Sequence, residues 1–194
     1  MLQYADGTLV WKFKTMGHPH AIQGQIQSSP VAVDSIIYIG SLDYNLYAID
    51  ARTGKEKWHY YMADNPAYST PAYREGMLYY GTYGFHNPRV YALNTKGEKQ
   101  WAFRRELESI KPDEGFRIGS WDNEKYGFTA SPVIAGNRMY IGSWDNHLYI
   151  FDLDRGELIG KYAAPKAIGA AAAVGNGVVY FGCYDGSIYA LSGE

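Results

Sequence analysis

Apolar residues fall along most of this chain in short runs separated by polar turn residues. After Ser28-Ser29-Pro30 comes Val31-Ala32-Val33, then a tight turn at Asp34-Ser35, then Ile36-Ile37-Tyr38-Ile39-Gly40. Asp43-Tyr44-Asn45 carries turn chemistry and leads into Leu46-Tyr47-Ala48-Ile49-Asp50. Thr53-Gly54 supplies another turn before Lys57-Trp58-His59-Tyr60-Tyr61. Short β-branched and aromatic runs bounded by Pro, Gly, Asp and Asn predict strands. Pro30 suits the start of a strand, where no ladder donor is needed. Gly54 is free to take the positive φ that its turn requires. The pattern predicts four antiparallel strands joined by short turns.

The same pattern is written again. Gly40, Gly81, Gly142 and Gly182 end matching Tyr-x-Gly phrases and fall 41, 61 and 40 residues apart. The strand openings recur as Ser69-Thr70-Pro71, Ser131-Pro132 and the degenerate Ala170-Ala171-Ala172. A repeat of about 40 residues built from four short strands is the signature of a β-propeller blade. The longer interval predicts a loop insert at about 104–127 within a single domain spanning 1–194. The two ends complement each other. Ala5-Asp6-Gly7-Thr8-Leu9-Val10-Trp11-Lys12-Phe13 reads as a turn and a fourth strand, whereas the last repeat stops after its third. The expected architecture is therefore all-β, a propeller of four-stranded antiparallel blades, four per chain, with the N-terminal strand closing the last blade. The alternative is two chains forming one eight-bladed ring.

Composition narrows the function classes. The chain has 194 residues, 46% hydrophobic and 20% charged, and a formal net charge of −2. No Lys/Arg block gives the footprint of a nucleic-acid binder. No apolar run approaches a membrane span. The N-terminus lacks the charged and apolar regions of a signal peptide. Cys183 is the single cysteine, which excludes a disulfide within the chain. The 19 tyrosines fall mostly at repeat positions, so their first explanation is structural.

Tyr38 through Trp58 follows the pattern Tyr-x-Gly…Asp…Leu-Tyr-Ala-Ile-Asp-x-x-Thr-Gly-x-x-x-Trp and closely resembles the pyrroloquinoline-quinone-like (quinoprotein-type, tryptophan-docking) propeller repeat family. The resemblance covers nearly the whole chain. It implies that Trp11, Trp58 and Trp101 dock between neighbouring blades, with Tyr162 in the corresponding place of the third blade. It also implies a bacterial or archaeal extracytoplasmic setting, on which the chain's own residues are silent. Family members that are dehydrogenases bind quinone and calcium in an eight-bladed ring and carry adjacent cysteines, which a chain with Cys183 alone does not have. Other members, an outer-membrane assembly lipoprotein and the sensor domains of some receptor kinases, use the propeller as a binding surface. Fold by itself does not assign function.

Strand alternation sends the loops to two faces. One holds short turns such as Asp34-Ser35 and Gly175-Asn176. The other holds longer aromatic and polar loops, where binding usually sits. Its candidate ligand-binding residues are Trp121, Tyr83, Phe85, His86, Arg89, Trp144, His147 and Tyr184. Trp121 lies in Gly119-Ser120-Trp121-Asp122-Asn123, a phrase repeated at 142–146, and either projects as a contact residue or seals the insert onto the propeller. Trp144 stands where other repeats have Leu42 and Tyr184, which favours packing. His18, His20, His86 and His147 lie on this side without a Cys or carboxylate set to complete a metal site. Asp43, Asp145 and Asp185 recur in one turn and read as caps of its backbone. No catalytic constellation stands out, and neither cofactor nor metal is expected. The leading expectation is a non-catalytic binding or scaffold propeller for a protein, peptide or glycan, with a homodimer as a further partner. The alternatives are a quinone- or metal-dependent oxidoreductase made of two half-rings, and a ligand-sensing domain of a larger receptor.

Overall fold

A computed structural model of the chain describes residues 7–18, 25–63, 65–84, 88–104 and 127–192. They form four antiparallel sheets, and no helix is present among them. The first sheet contains β1 (Val31–Val33), β2 (Ile36–Gly40), β3 (Asn45–Asp50) and β4 (Glu56–Tyr61). The second contains β5 (Ala72–Arg74), β6 (Met77–Gly81), β7 (Arg89–Asn94) and β8 (Lys99–Arg104). The third contains β9 (Val133–Ala135), β10 (Arg138–Gly142), β11 (His147–Asp152) and β12 (Glu157–Ala163). The fourth has three strands, β13 (Ala173–Gly175), β14 (Val178–Gly182) and β15 (Ile188–Ser192). Each sheet is a meander in chain order, as short strands joined by short turns predict.

The sheets share details that a repeat dictates. In β3, β7 and β11 the register against the outer strand shifts at one matched place, Ala48/Ile49, Ala92/Leu93 and Ile150/Phe151. The extra outer-strand residue increases local twist, as β-bulges do. The inner strands follow one another, β1 beside β5, β5 beside β9 and β9 beside β13. The sheets therefore stand around an axis as blades, and the hydrophobic core lies in the seams between them. Leu46 and Met62 of the first blade meet Ala67, Tyr80, Tyr91 and Leu93 of the second. Tyr79, Val90 and Ala92 meet Phe128, Met139, Ile141 and Phe151 of the third. Tyr140 and Leu148 meet Ile168, Val179 and Phe181 of the fourth.

The first two seams are each bolted at the outer edge by an indole, and the third by a tyrosine ring. Trp58 lies flat on the Gly97 turn of the next blade, and its Nε1 donates to the Thr95 carbonyl at 3.0 Å. A Cβ on Gly97 would meet that ring at 2.8 Å, so only glycine lets the indole down, and its φ of +83° suits no other residue well. Trp101 sits on Gly156 in the same way and stacks on Phe151 with ring centroids 5.9 Å apart. Trp11 covers Gly54 and donates to the Ala51 carbonyl at 2.9 Å. Tyr162 meets Phe181 and Tyr189 with rings alone.

Residues 7–18 form no strand, and no strand pairing joins them to β15 among the described residues. They lie on the first blade instead. Besides the Trp11 contact, Phe13 meets Tyr47 at 5.3 Å, Met16 N donates to the Tyr47 hydroxyl and Gly17 N to the Asp43 carboxylate, both at 3.1 Å. They stand on the first blade as β4 stands on the second and β8 on the third.

Candidate functional site: an aromatic row across the loop face

Two residues beyond the glycine that ends each second strand, the four blades carry Leu42, Tyr83, Trp144 and Tyr184. The backbone holds all four alike, their amides donating to the carbonyls of Gln25, Pro66, Gly127 and Ala167 at 2.9–3.0 Å. What differs is the side chain. Leu42 is buried, Tyr83 and Trp144 are half-buried, and Tyr184 is 61% exposed.

These side chains and their neighbours form a row. The rings of His18 and Tyr44 lie 4.9 Å apart on the first blade. Tyr68 meets Tyr83 edge-on at 5.5 Å. Burial raises the pKa of the Tyr68 hydroxyl, and the Tyr44 hydroxyl raises it further. Tyr83 bridges to Gly127, whose carbonyl accepts from the Trp144 amide, so the row passes the second seam through backbone. Trp144 then tilts against Tyr184 at 5.0 Å across the third seam. Aromatic pairs thus stand on all four blades on the face that carries the long loops. Such side chains offer large contact area with few rotatable bonds to freeze, which suits recognition.

The row rests on a rigid understructure. In the loop turns, Asp43 Oδ1 accepts from Asn45 N at 3.2 Å, Asp145 Oδ1 from His147 N at 3.3 Å and Asp185 Oδ1 from Ser187 N at 2.9 Å. The other oxygen of each carboxylate accepts a hydroxyl four residues on, from Tyr47, Tyr149 and Tyr189. The recurring Asp therefore caps its turn and also ties it to the third strand through tyrosine. That tie was open to discovery as an Asp-x-x-x-Tyr repeat. The hydrogen bond to the Asp185 carboxylate pushes the Tyr189 hydroxyl up to about 12, and reciprocally the hydroxyl lowers the pKa of Asp185. Tyr47 is raised chiefly by burial and next by Asp43.

The remaining sequence candidates divide. Trp144 Nε1 donates to the Thr129 hydroxyl, so its indole is anchored on one edge while its face meets Tyr184. The Nδ1 of His147 lies 2.9 Å from the Asp145 carbonyl, a local turn contact. Arg89 opens β7, and its side chain turns inward beside Tyr60 and Tyr91, with Nε buried and lacking a hydrogen-bond partner among the described residues. It contributes to the blade more than to the face. Trp121, Phe85, His86 and His20, with the insert that carries Trp121, lie outside the described residues. Among the described residues no group of three His, Cys, Asp or Glu side chains is arranged to hold a metal ion, and no helix is long and apolar enough to cross a membrane.

Comparisons with known proteins agree with this architecture. The designed protein Ika4 superposes with a TM-score of 0.70 at 15% identity, over 96% of this chain and 98% of its own. The WD40 domain of Neurospora crassa Pan2 gives 0.63 at 12% identity, over 87% of this chain and 47% of that one. At such identities these show the fold alone. A curated relative, the serine/threonine-protein kinase AfsK of Streptomyces griseus, is 27% identical over 138 residues, which span 68% of this chain and 15% of the kinase. The family model of the outer membrane protein assembly factor BamB matches residues 1–113, more than half of the chain. By that match, by its Gly-x-x-x-Trp repeats and by the docked indoles they produce, the chain belongs to the BamB-like family of PQQ-type β-propeller repeats.

Proposed function

We propose that this propeller is a non-catalytic binding module that receives an extended segment of another protein along the row from Tyr44 to Tyr184. The observation that carries the reading is the recurrence of aromatic side chains on the loop face of all four blades, three of them on turns held by an Asp–Tyr tie. A peptide lying across the blades would stack on successive rings while its backbone met the polar loop residues between them. Membership of a family described as an assembly factor supports a protein partner.

The test is selection of short displayed peptides on the wild-type chain, followed by affinity measurement against Tyr184→Ala and Trp144→Phe. Tyr184 is mostly exposed, so truncating it leaves the fold intact, and a contact residue of this kind costs about tenfold in affinity. Failure to select any binder, or binders indifferent to Tyr184, would overturn the reading. Selection of oligosaccharides alone from a glycan array would replace the peptide by a sugar. A second reading, a ligand-sensing segment of a larger receptor, draws on the likeness to AfsK and uses the same face.

A further inference from the structure

The contacts between successive blades form a series, and the series stops at both ends of the arc. Gly40 is covered by Ala67 of the next blade, Gly81 by Phe128 and Gly142 by Ile168, and a Cβ on any of the three would come within 2.4–2.5 Å of its neighbour. Around Gly182, the matching residue of the fourth blade, a Cβ would meet nothing within 4 Å among the described residues. The backbone repeats the pattern. Ala67, Phe128 and Ile168 donate their amides to the carbonyls of Ser41, Thr82 and Ser143 on the preceding blade. The next members of the series are the amide of Ile26 and the carbonyl of Cys183, and no bond joins them among the described residues. Near the axis, Ser29 N donates to the Thr70 hydroxyl and Thr70 N to the Ser131 hydroxyl. The Ser29 hydroxyl stands at the head of that line, where the amide of Ala171 would meet it.

The residues at these two ends are apolar and open. Ile26, which by position corresponds to Ala67, Phe128 and Ile168, is 44% exposed, and Tyr180, which corresponds to the buried Tyr38, Tyr79 and Tyr140, is 41% exposed. On the outer edges Leu9, Val10 and Ile188 are 75%, 81% and 82% exposed. Gly7, with a φ of +82°, precedes Trp11 by four residues, as Gly54 precedes Trp58 and Gly97 precedes Trp101. Residues 7–13 thus have the sequence of an outer strand and the docking position of one, and among the described residues no third strand pairs with them and no outer strand pairs with β15. Exposed strand edges of this kind seek a partner.

We infer that these ends are one interface, completed by a second copy of the chain to give an eight-bladed ring. The described blades make three seams, and Ile26 does not lie within 4 Å of Gly182, so the arc carries an unmatched half-seam on its first blade and another on its fourth. A second copy supplies the matching half of each, with four further blades. Related by a two-fold axis, each copy sets Ile26 on the other's Gly182, its amide on the other's Cys183 carbonyl, and residues 7–13 beside the other's β15. Two identical head-to-tail contacts then close the ring and leave no open edge.

The experiment is solution mass by light scattering on the full chain, with two variants. Gly182→Val is compatible with the free chain, because its surroundings are open and its φ lies outside the left-handed region, yet it blocks the approach of Ile26. Ile26→Glu places a carboxylate in the same seam. The wild type is expected at twice 21.8 kDa and both variants at 21.8 kDa, with the strand signal in circular dichroism retained. A wild type of 21.8 kDa at every concentration loaded would overturn the inference, and so would a doubled mass that survives either folded variant.

Discussion

Replacing Gly97 by alanine isolates the contact that bolts each blade to the next. Two costs arise together. The residue sits at φ +83°, where any L side chain is strained by about 1 kcal/mol or somewhat more. Its new methyl would also stand 2.8 Å from the Trp58 ring, and forcing that indole outward costs an overpacking term of about 1–3 kcal/mol. Gly136→Ala supplies the control, since Gly136 has φ +58° and nothing within 4 Å, so only the backbone cost of about 1 kcal/mol remains. Trp58→Ala removes an indole half-buried against two clusters, together with the hydrogen bond to Thr95. Burial of roughly 150 Å² of ring at about 25 cal/mol per Å² sets its cost near 3–4 kcal/mol. In the Trp58→Ala background, Gly97→Ala has no ring to strike, and its cost should fall to that of Gly136→Ala. The assay is urea unfolding followed by far-ultraviolet circular dichroism, which does not depend on the deleted fluorophore, and the double-mutant cycle should show a coupling of about 1–3 kcal/mol. A coupling near zero would refute the reasoning, as would a Gly97→Ala cost no larger than that of Gly136→Ala.

Other expectations follow from the same geometry. Ser69 Oγ donates to the Gly81 carbonyl and accepts from the Gly81 amide, both at 2.9 Å, in a fully buried site, so Ser69→Ala should cost about 1–3 kcal/mol in the same unfolding assay. Tyr189, raised to about 12 by the Asp185 carboxylate, should remain un-ionised above the ordinary tyrosine pKa, and its contribution to stability is present below that value and lost as pH climbs through about 12. Tyrosinate absorbance should therefore titrate lower in Asp185→Asn. On the acid side Asp185 is held low, first by the Tyr189 hydroxyl and then by the Ser187 amide, so its stabilisation is lost as pH falls through its lowered folded value, and Tyr189→Phe should shrink that loss.

Much of this was legible in the chain because each repeat is written as short apolar runs between turn residues. Those runs placed β2 at Ile36–Gly40 without error, and they placed β3 and β4 to within one residue of their starts. The family resemblance pointed to Trp11, Trp58 and Trp101 as docking indoles, and the structure lays them on Gly54, Gly97 and Gly156. Local pattern fails where a side chain's fate depends on a neighbouring blade. Arg89 reads as a loop residue, yet it opens a strand and turns inward toward tyrosines of the first and second blades. Trp144 reads as packing, and the structure gives it both an anchored edge and a face against Tyr184. Residues 7–13 read as an outer strand, but a strand is made by its neighbour, and among the described residues none lies beside them.

Chemical-shift mapping of a selected peptide on the isotope-labelled chain tests the central claim, that the aromatic row is the binding surface. The account predicts perturbed amides at Tyr44, Tyr68, Tyr83, Gly127, Trp144 and Tyr184, with those at Asp34, Ser35, Asn176 and Gly177 unmoved. Shifts confined to the short-turn face, with the row silent, would contradict it.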